Sequence, residues 1–285
     1  MRQSRAALNA TMVAVSAGRR EPEMQIANKV VLITGGSRGI GAACAGEFRR
    51  RGAQVCLTGR DEDALARQAR DKELRIAGDL SDSDFRPRLI AAVLDRFGRI
   101  DILVNNAGYG IFWPPSAAPV DEVRAMFEVN VIAPLALSRL ALPSMRANNS
   151  GCIVNVSSLG AEVMLPWISL YCASKSAASA MSAAVRCEVA GSGIHVMTVC
   201  PGYVSTEFKS NARGPHPPAQ LMGPGKFGIT TDECAKAIVR GVERNARMVV
   251  TPRIGWLLVL AQRMLPGWME SRMTSYFKNM QKEVA

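Results

Sequence analysis

Short apolar runs alternate along this chain with longer stretches in which apolar residues recur every three or four positions. The short runs, such as KVVLIT at 29–34, are typical of strands buried on both faces of a parallel sheet. The longer stretches predict amphipathic helices. Strands are predicted at 29–34, 54–58, 74–77, within 101–108, and at 153–156, 194–200 and 248–251. Their alternation with helices predicts the α/β class, as one doubly wound parallel sheet in a single domain.

Helices are predicted between these strands, and several of their ends carry recognisable signals. The first helix ends at residues 49–52 (RRRG), which place cations in the last turn and a glycine at the stop. Thr230 and Glu233 form a capping box for a helix over 232–245. Other helices are predicted at 82–97, at 120–147 and from 171 to about 190. Asn130 interrupts the apolar stripe of 120–147, and a buried amide there must be hydrogen-bonded.

A glycine-rich turn, residues 35–41 (GGSRGIG), joins the first strand directly to the first helix. Glycines at 35, 39 and 41 allow a tight turn, close approach of the backbone to a pyrophosphate and close helix packing. The unpaired N–H groups of the helix N-terminus would face that anion. The turn therefore predicts a dinucleotide-binding site, and a purely structural glycine turn is the alternative.

The second strand ends in Gly59-Arg60, at the position where an enzyme that prefers NAD carries an acidic residue for the adenosine ribose. Arg38 and Arg60 could instead pair with a 2′-phosphate, a contact that suits guanidinium groups. We therefore expect NADP(H) to be preferred over NAD(H). In the alternative interpretation, the arginines cap helices or lie on a solvated surface, and Asp61 pairs with Arg60.

The segment from Cys152 to Lys175 carries the candidate chemistry. Ser157 and Ser158 follow a predicted strand, and Tyr171 and Lys175 are four residues apart, on one face of a helix. An ammonium near a phenol lowers the pKa of the phenol, so Tyr171 could act as an acid or a base. A Ser158 hydroxyl could orient a carbonyl oxygen beside it. This set predicts carbonyl/alcohol redox chemistry, although a tyrosine and a lysine at this spacing also occur by chance.

These elements in this order resemble the short-chain dehydrogenase/reductase family: the glycine turn, residues 105–108 (NNAG), Ser158 thirteen positions before Tyr171, and then Lys175. The resemblance covers residues 28–251. It implies a Rossmann-like fold that transfers a hydride between NADP(H) and a carbonyl or alcohol. In reduction, Tyr171 would protonate the nascent alkoxide, Ser158 would orient the oxygen, and Lys175 would lower the pKa of Tyr171 and hold the ribose. Asn130 falls where the family keeps an asparagine whose backbone holds a water beside the catalytic lysine.

The resemblance also implies which other residues lie against the cofactor. Asp79 and Leu80 would lie at the adenine, and the loop after the sixth strand would surround the nicotinamide carboxamide. The expected cofactor-binding residues are Gly35, Ser37, Arg38, Gly39, Ile40, Gly41, Arg60, Asp79, Leu80, Asn106, Ala107, Gly108, Tyr171, Lys175, Pro201, Gly202, Val204 and Thr206. Because a fold does not fix a function, the alternative to an enzyme is a non-catalytic NADPH-binding regulator.

Composition sets the remaining bounds. The 285 residues and a hydrophobic fraction of 48% suffice for one large α/β domain. Seven cysteines, odd in number and without a Cys-x-x-Cys pair, indicate free thiols in the cytoplasm. The formal charge of +11 could indicate nucleic acid or an anionic membrane, but the arginines are scattered and not interleaved with aromatic residues, so no nucleic-acid partner is expected. With only two histidines, one in a strand and one in a loop, no metal site is expected either.

Three segments lie outside the predicted sheet. Residues 1–27 predict a flexible basic extension, with a transit peptide as the alternative, because the apolar run at 12–15 is too short for a signal sequence. Residues 207–229, rich in proline and glycine, predict a substrate-covering loop.

Residues 252–285 include an apolar stretch at 254–261 that is far shorter than the roughly 20 residues needed to span a bilayer. This segment could form a peripheral membrane contact, a lid over the pocket, or a subunit interface of a homodimer or homotetramer. Each of these alternatives favours a bulky hydrophobic carbonyl or alcohol substrate.

Overall fold

The computed structural model describes residues 23–284, apart from 71–72, 114, 164, 209–210 and 216–227. Residues 1–22 of the predicted extension and much of the predicted loop 207–229 lie outside the described residues. Seven strands match the predicted ones in number and place: β1 (Val30–Thr34), β2 (Gln54–Gly59), β3 (Leu74–Ala77), β4 (Ile102–Asn105), β5 (Gly151–Val156), β6 (Ile194–Pro201) and β7 (Met248–Thr251).

All seven strands form one parallel sheet in the order β3-β2-β1-β4-β5-β6-β7. In its centre Leu32 of β1 lies beside Cys56 of β2 and Leu103 of β4. The predicted doubly wound α/β fold is confirmed. The strand order reverses between β1 and β4, and the loops that leave the carboxyl ends of these two strands therefore open a crevice.

Nine helices join the strands or follow them within the described residues: α1 (Gly39–Arg50), α2 (Glu62–Gln68), α3 (Phe85–Phe97), α4 (Val120–Phe127), α5 (Ala133–Ala147), α6 (Ser169–Glu188), α7 (Thr231–Glu243), α8 (Gly255–Met264) and α9 (Pro266–Val284). The predicted capping box of α7 is confirmed. The Glu233 N–H donates to the Thr230 hydroxyl at 3.2 Å, and the Thr230 N–H donates to the Glu233 carboxylate at 2.8 Å.

The core consists of an apolar layer on each face of the sheet. On one face α1 and α7 cover the strands, with Phe48 and Ile238 buried between them. On the other face α3 and α5 contribute Leu89 and Leu137. Because both faces are covered, the central strands are buried along their whole length, which explains their continuous apolar sequence.

The domain begins a few residues earlier than the predicted boundary at residue 28. The Met24 N–H donates to the Glu243 carbonyl at 2.9 Å, and the Ile26 side chain is buried in the core layer of α1 and α7. Residues 24–27 are therefore part of the domain and not of a flexible extension. Polar residues such as Gln25 and Asn28 flank Ile26 in the sequence, which is why hydropathy alone placed the boundary late.

The predicted helix 120–147 is interrupted by a π-helical turn at Glu128–Ile132. By length and composition, Val120–Ala147 could cross a membrane. Its residues Ala133, Leu137 and Met145 are fully buried against the sheet, so within this fold it serves as a core helix. The π-helical turn places Asn130 inside the protein, as described below.

Candidate active site

The predicted site residues gather at the carboxyl ends of the parallel strands, where ligands bind in open α/β sheets. The structure brings to this edge the glycine turn after β1, Arg60 after β2, Asp79 and Leu80 after β3, residues 106–108 after β4, Ser158 after β5 and residues 201–206 after β6. Tyr171 and Lys175 reach the same edge from α6, where they lie beside the loop that follows β4.

A surface groove of about 650 Å³ lies at the opposite edge of the sheet, beside the amino end of β2. Arg49 and Glu73 line this groove, and the Arg49 guanidinium donates two hydrogen bonds of 2.5 and 2.7 Å to the Glu73 carboxylate. Because none of the predicted catalytic residues lines it, this groove is not part of the candidate active site.

The glycine turn has the geometry that a pyrophosphate requires. Gly35 and Gly39 adopt φ values of +63° and +58°, which disfavour any residue with a side chain. A Cβ atom at Gly41 would lie 2.2 Å from the Gly35 carbonyl oxygen, so glycine is needed there for close packing. No side chain caps α1, and its first turn contains no acidic residue. The N–H groups of this helix N-terminus therefore suit an anion, and the turn fits a dinucleotide cofactor.

Asn106 and Thr34 hold the glycine turn in place. The Asn106 amide donates to the carbonyl oxygens of Thr34 and Gly35 at 2.9 and 3.3 Å. The Thr34 hydroxyl accepts the backbone N–H groups of Asn106 and Ala107, both at 3.0 Å. The Asn106 side chain was predicted as a cofactor contact and in this structure braces the turn beneath the cofactor site. Thr34 belongs to no recognisable motif, so its role could not be predicted from the sequence.

Arg38 and Arg60 have different surroundings. Arg38 pairs with Asp61 at 3.0 Å and with Glu207 at 2.8 Å. Asp61 also caps α2, because its carboxylate accepts the Ala64 N–H at 2.9 Å. The alternative in which Asp61 pairs with Arg60 is therefore wrong. Arg60 is exposed and forms no salt bridge within the described part of the chain.

Asp79 and Leu80 follow β3 at the adenine end of the predicted site. Leu80 is buried, whereas Asp79 is exposed and accepts hydrogen bonds from the Ser81 N–H and hydroxyl, both at 2.8 Å. Partial burial alone would raise the pKa of Asp79, but these hydrogen bonds and the nearby positive charge of Arg60 lower it. The carboxylate therefore stays ionised, and the adenine contact of Asp79 and Leu80 stays a prediction.

Tyr171 and Lys175 share one face of α6, as their spacing predicts, and both side chains are buried. The Lys175 ammonium donates to the Val156 carbonyl at 2.9 Å and lies 5.9 Å from the centroid of the Tyr171 ring. Ser157 fixes this part of α6, because its hydroxyl donates to the Lys175 carbonyl at 2.9 Å. The pair is thus held against the end of β5, beside Ser158.

The pKa of Tyr171 is on balance raised in this structure, not lowered as the nearby Lys175 ammonium was expected to make it. Burial raises the pKa of Tyr171 well above its usual value, and the hydrogen bond with Ser158 offsets only part of that rise. Burial also lowers the pKa of Lys175, to about 8. The Tyr171 phenolate and the Lys175 ammonium are both disfavoured, because both side chains are buried away from water. Tyr171 therefore keeps its proton, the state that a general acid needs.

Asn130 ties the loop after β4 to α6 from within the π-helical turn. Its amide donates to the Tyr109 carbonyl at 2.9 Å and to the Ser174 hydroxyl at 3.0 Å, and its oxygen accepts the Tyr109 N–H at 3.1 Å. Ser174 in turn donates to the Tyr171 carbonyl at 2.7 Å. The prediction that this buried amide is hydrogen-bonded is confirmed. Ser174, which the sequence analysis missed, connects Asn130 to the turn of α6 between Tyr171 and Lys175.

Gly108 leaves the space in which Asn130 and Lys175 approach each other. A Cβ atom at this position would lie 2.8 Å from the Asn130 side-chain oxygen and 3.1 Å from the Lys175 nitrogen. The glycine of the 105–108 element is therefore required by side-chain crowding. This places residues 106–108 between the cofactor site and the catalytic set.

The loop after β6 reaches back to the glycine turn. The Gly202 N–H donates to the Thr251 carbonyl at 2.7 Å, and Val204 forms a β-bridge with Ile229. The Thr206 methyl group lies 3.5 Å from the position that a Cβ atom at Gly39 would occupy. Residues 201–206 therefore line the crevice on the side opposite residues 106–108.

Apolar side chains surround Tyr171 on the side away from the glycine turn. Its ring lies 5.2 Å from that of Phe208, measured between centroids, in a cluster that includes Ile111, Trp113 and Met126. Phe208 belongs to the predicted substrate loop, and its ring is also close to Gly110. We call Ile111, Trp113, Met126 and Phe208 the apolar wall. The sequence did not identify this wall, because its members come from separate segments without a shared motif.

The described part of the substrate loop is pinned next to this wall. The Arg213 N–H donates to the Gly110 carbonyl at 3.1 Å, and the Phe112 N–H donates to the Arg213 carbonyl at 2.8 Å. The Arg213 guanidinium pairs with Glu122 at 2.9 Å and lies 5.0 Å from the Tyr109 ring centroid. These contacts place residues 211–213 over the same edge of the sheet, and the covering of substrate by this loop stays a prediction.

Two comparisons of sequence are consistent with this geometry. A family model described as short chain dehydrogenase matches residues 29–216. A protein of Danio rerio named dehydrogenase/reductase SDR family member 7B is 36% identical over 259 residues, which cover 83% of this chain and 81% of that protein. The ketoacyl reductase HetN of a Nostoc strain is 32% identical over 232 residues, 79% of each chain.

Solved structures resemble the fold over most of its length. A short chain dehydrogenase from Burkholderia cenocepacia in complex with NADP superposes with a TM-score of 0.75 at 27% identity, covering 88% of this chain and 99% of that one. A short chain dehydrogenase/reductase from Burkholderia phymatum in complex with NAD has a TM-score of 0.77 at 25% identity, covering 84% and 94%. Proteins of similar fold thus hold either nicotinamide cofactor.

Proposed function

The chain belongs to the short-chain dehydrogenase family of oxidoreductases, which act on carbonyl and alcohol groups, and we propose that it uses NADPH to reduce a bulky hydrophobic ketone. The substrate would be of lipid, steroid-like or 3-oxoacyl type. The observation that carries this proposal is the apolar wall beside the Tyr171 ring. Ile111 and Met126 of this wall are already buried, but Trp113 and Phe208 are only partly buried. A small polar ketone would leave these two rings in contact with water, whereas a large apolar one would cover them.

The side chains of the site divide the work of reduction among them. When bound, NADP(H) supplies the hydride, and the glycine turn, residues 106–108 and residues 201–206 are placed to hold it. Tyr171 keeps a proton on its hydroxyl oxygen, because burial raises its pKa, and can donate that proton to the substrate oxygen. The Ser158 side chain lowers the pKa of the Tyr171 phenol, so the two groups lie near each other, and Ser158 can orient the same substrate oxygen. Oxidation of an alcohol reverses these roles.

Lys175 and Asn130 support this proton transfer. The Lys175 ammonium adds positive charge 5.9 Å from the Tyr171 ring, which favours phenolate once the proton has left. Asn130 holds the backbone of Tyr109 and, through Ser174, the turn of α6 that carries both catalytic side chains. The proposed catalytic set is therefore Asn130, Ser158, Tyr171 and Lys175.

Two arginines support a preference for NADPH: Arg38 in the glycine turn and Arg60 directly after β2. Gly59 offers no carboxylate to an adenosine ribose, and Arg60 is exposed beside it. Arg38 pairs with Asp61, the neighbour of Arg60 in the chain, so it could join a 2′-phosphate contact once it leaves Asp61 and Glu207. A phosphate dianion with two guanidinium partners forms stronger hydrogen bonds than either surface carboxylate, which favours the exchange.

The test is NADPH oxidation with ketones of increasing apolar size, such as acetone, cyclohexanone, 2-decanone, a 3-oxoacyl thioester and a 3-ketosteroid. We expect kcat/KM to rise with apolar area and to be higher with NADPH than with NADH. Equal kcat/KM for acetone and 2-decanone would reject the substrate class, and equal kcat/KM for the two cofactors would reject the preference. NADPH binding without turnover of any ketone would favour the non-catalytic regulator.

The proposal extends to assembly and location. Ile132 of the π-helical turn and Leu135 of α5 are exposed apolar side chains three positions apart on one helical face, which supports a homodimer or homotetramer through that face. All seven cysteines are free and six of them are buried, which supports a cytoplasmic location. Light scattering of Ile132→Asp beside the unchanged protein tests the first point, since a charge in that face should reduce the molecular mass.

A further inference from the structure

The helices α8 and α9 expose an unusual amount of apolar surface. Eight large apolar side chains in and around α8 and the start of α9 are between 42% and 71% exposed: Ile254, Trp256, Leu257, Leu258, Leu260, Met264, Leu265 and Trp268. We call these the C-terminal apolar surface. Only a few side chains of the two helices, Val259 and Met269 among them, are buried against the protein. A surface of this kind marks an interaction site.

Positive charges surround this surface. Arg253, Arg263, Arg272 and Lys278 are exposed on the same segment, and the acidic Glu270 is exposed among them. Arg263 is partly neutralised, because it pairs with Glu162 at 2.8 Å. The Arg272 guanidinium lies 5.8 Å from the Trp268 ring centroid, so a cation and an indole lie side by side. Tryptophan and arginine in this combination suit the boundary between lipid headgroups and acyl chains.

We propose that the C-terminal apolar surface docks on an anionic lipid surface. The leucines and tryptophans would enter the acyl boundary, while Arg253, Arg272 and Lys278 would contact negatively charged headgroups. A second copy of the chain suits this surface less well. In a symmetric dimer the same patch meets itself, which would bring these like charges together. The separate apolar face formed by Ile132 and Leu135 is available for self-association.

The C-terminal apolar surface lies beside the loop that carries Ser158. A Cβ atom at Gly255, the first residue of α8, would lie 3.5 Å from the Leu159 side chain, and Leu159 directly follows Ser158. The Arg263–Glu162 pair joins α8 to the same loop. A hydrophobic substrate dissolved in the bilayer would thus lie close to the loop that carries Ser158. This consequence rests on the proposed function, whereas the docking itself does not.

The experiment is vesicle co-sedimentation of the full chain, without cofactor or ketone. Leu257→Asp with Leu260→Asp places charges at two exposed positions of α8, and Val120→Asp is the matched control. Leu257 and Val120 are 63% and 61% exposed, so neither change disturbs the core. The wild-type protein should bind phosphatidylglycerol vesicles about tenfold or more tightly than phosphatidylcholine vesicles, and about 0.5 M salt should weaken that binding.

The double variant should lose about tenfold or more of its binding, because two leucines no longer leave water, whereas Val120→Asp should bind like the wild type. Wild-type protein that stays in the supernatant with both lipids would overturn the proposal. Equal binding to the two lipids would overturn its anionic character. A double variant that keeps its vesicle binding but becomes a smaller species in light scattering would assign the surface to a second copy. Because no turnover is measured, these outcomes are independent of the ketone panel.

Discussion

Glu207→Gln removes one of the two carboxylates that hold Arg38 in the cofactor-free protein. Arg38 lies 2.8 Å from Glu207 and 3.0 Å from Asp61, so each of its terminal nitrogens has a carboxylate partner. A 2′-phosphate must compete with both partners before Arg38 can bind it. NADH carries no 2′-phosphate and makes no such demand. The variant should therefore bind NADPH more tightly and bind NADH with unchanged affinity.

The size of this effect follows from the exposure of the pair. The Arg38 and Glu207 side chains are 44% and 64% exposed, so the solvent screens their attraction. Ion pairs of this kind contribute about 0.2–1 kcal/mol, which corresponds to a fall of up to about fivefold in the Kd of NADPH. The effect should shrink at about 0.5 M salt, because screening weakens exposed pairs.

The assay is a titration of the protein with NADPH and with NADH, followed by the fluorescence of the reduced nicotinamide. Glu122→Gln is the matched control, because it removes the Arg213 ion pair of 2.9 Å, which lies over the substrate side. We expect the control to leave both Kd values unchanged. An unchanged Kd for NADPH in Glu207→Gln, or an equal change for NADH, would show that Arg38 does not bind the 2′-phosphate.

Three further predictions concern packing, pH and substrate. Gly108→Ala should lower kcat about tenfold or more, because its Cβ atom would lie 2.8 Å from the Asn130 side-chain oxygen. The control Gly267→Ala, whose Cβ atom would have no neighbour within 4 Å, should leave kcat unchanged. Equal kcat values for the two variants would contradict this prediction. Stability against urea should fall as the pH rises above about 8.5. Burial raises the pKa of thiols such as Cys152, which reaches about 12 in the folded protein, so above pH 8.5 these thiols ionise only when the protein unfolds. These thiols outnumber Lys175, whose lowered pKa acts in the opposite sense, and a flat stability profile from pH 7.5 to 10 would contradict the assignment. Phe208→Ala should raise KM for 2-decanone severalfold with NADPH affinity unchanged, and an unaltered KM would remove Phe208 from the apolar wall.

The strands and the glycine turn could be predicted from the sequence because their signals are local. A strand such as β1 lies inside a sheet covered on both faces, so every one of its residues is apolar or small. The left-handed backbone at Gly35 and Gly39 needs glycine, so the sequence records the conformation directly. Tyr171 and Lys175 were placed together by helix periodicity alone.

The partners of charged and polar side chains were less predictable, because they depend on which segments the fold brings together. Arg38 pairs with Glu207, which is 169 positions away in the chain. The π-helical turn at Asn130 forms where the amide can reach both Tyr109 and Ser174, and no residue pattern within 120–147 signals it. A prediction from neighbouring residues could not find either contact.

The direction of the Tyr171 pKa shift was wrong for a related reason. Spacing on a helix places an ammonium near the phenol, but the depth of burial depends on residues from other segments, including the ring of Phe208. Desolvation of the phenol then outweighs the favourable hydrogen bond with Ser158. Burial of this kind becomes visible only when the whole fold is known.

Tyr171→Phe, measured for turnover and for NADPH affinity, tests the central claim most directly, because the substitution removes the one hydroxyl assigned to proton transfer. Tyr276→Phe, at a position of α9 that is 47% exposed, controls for the change itself. We expect Tyr171→Phe to lose nearly all ketone reduction while the Kd of NADPH stays unchanged, and the control to match the wild type. If Tyr171→Phe retains more than about a tenth of the wild-type kcat, a loss of less than about 1.4 kcal/mol in transition-state stabilisation, Tyr171 is not the acid.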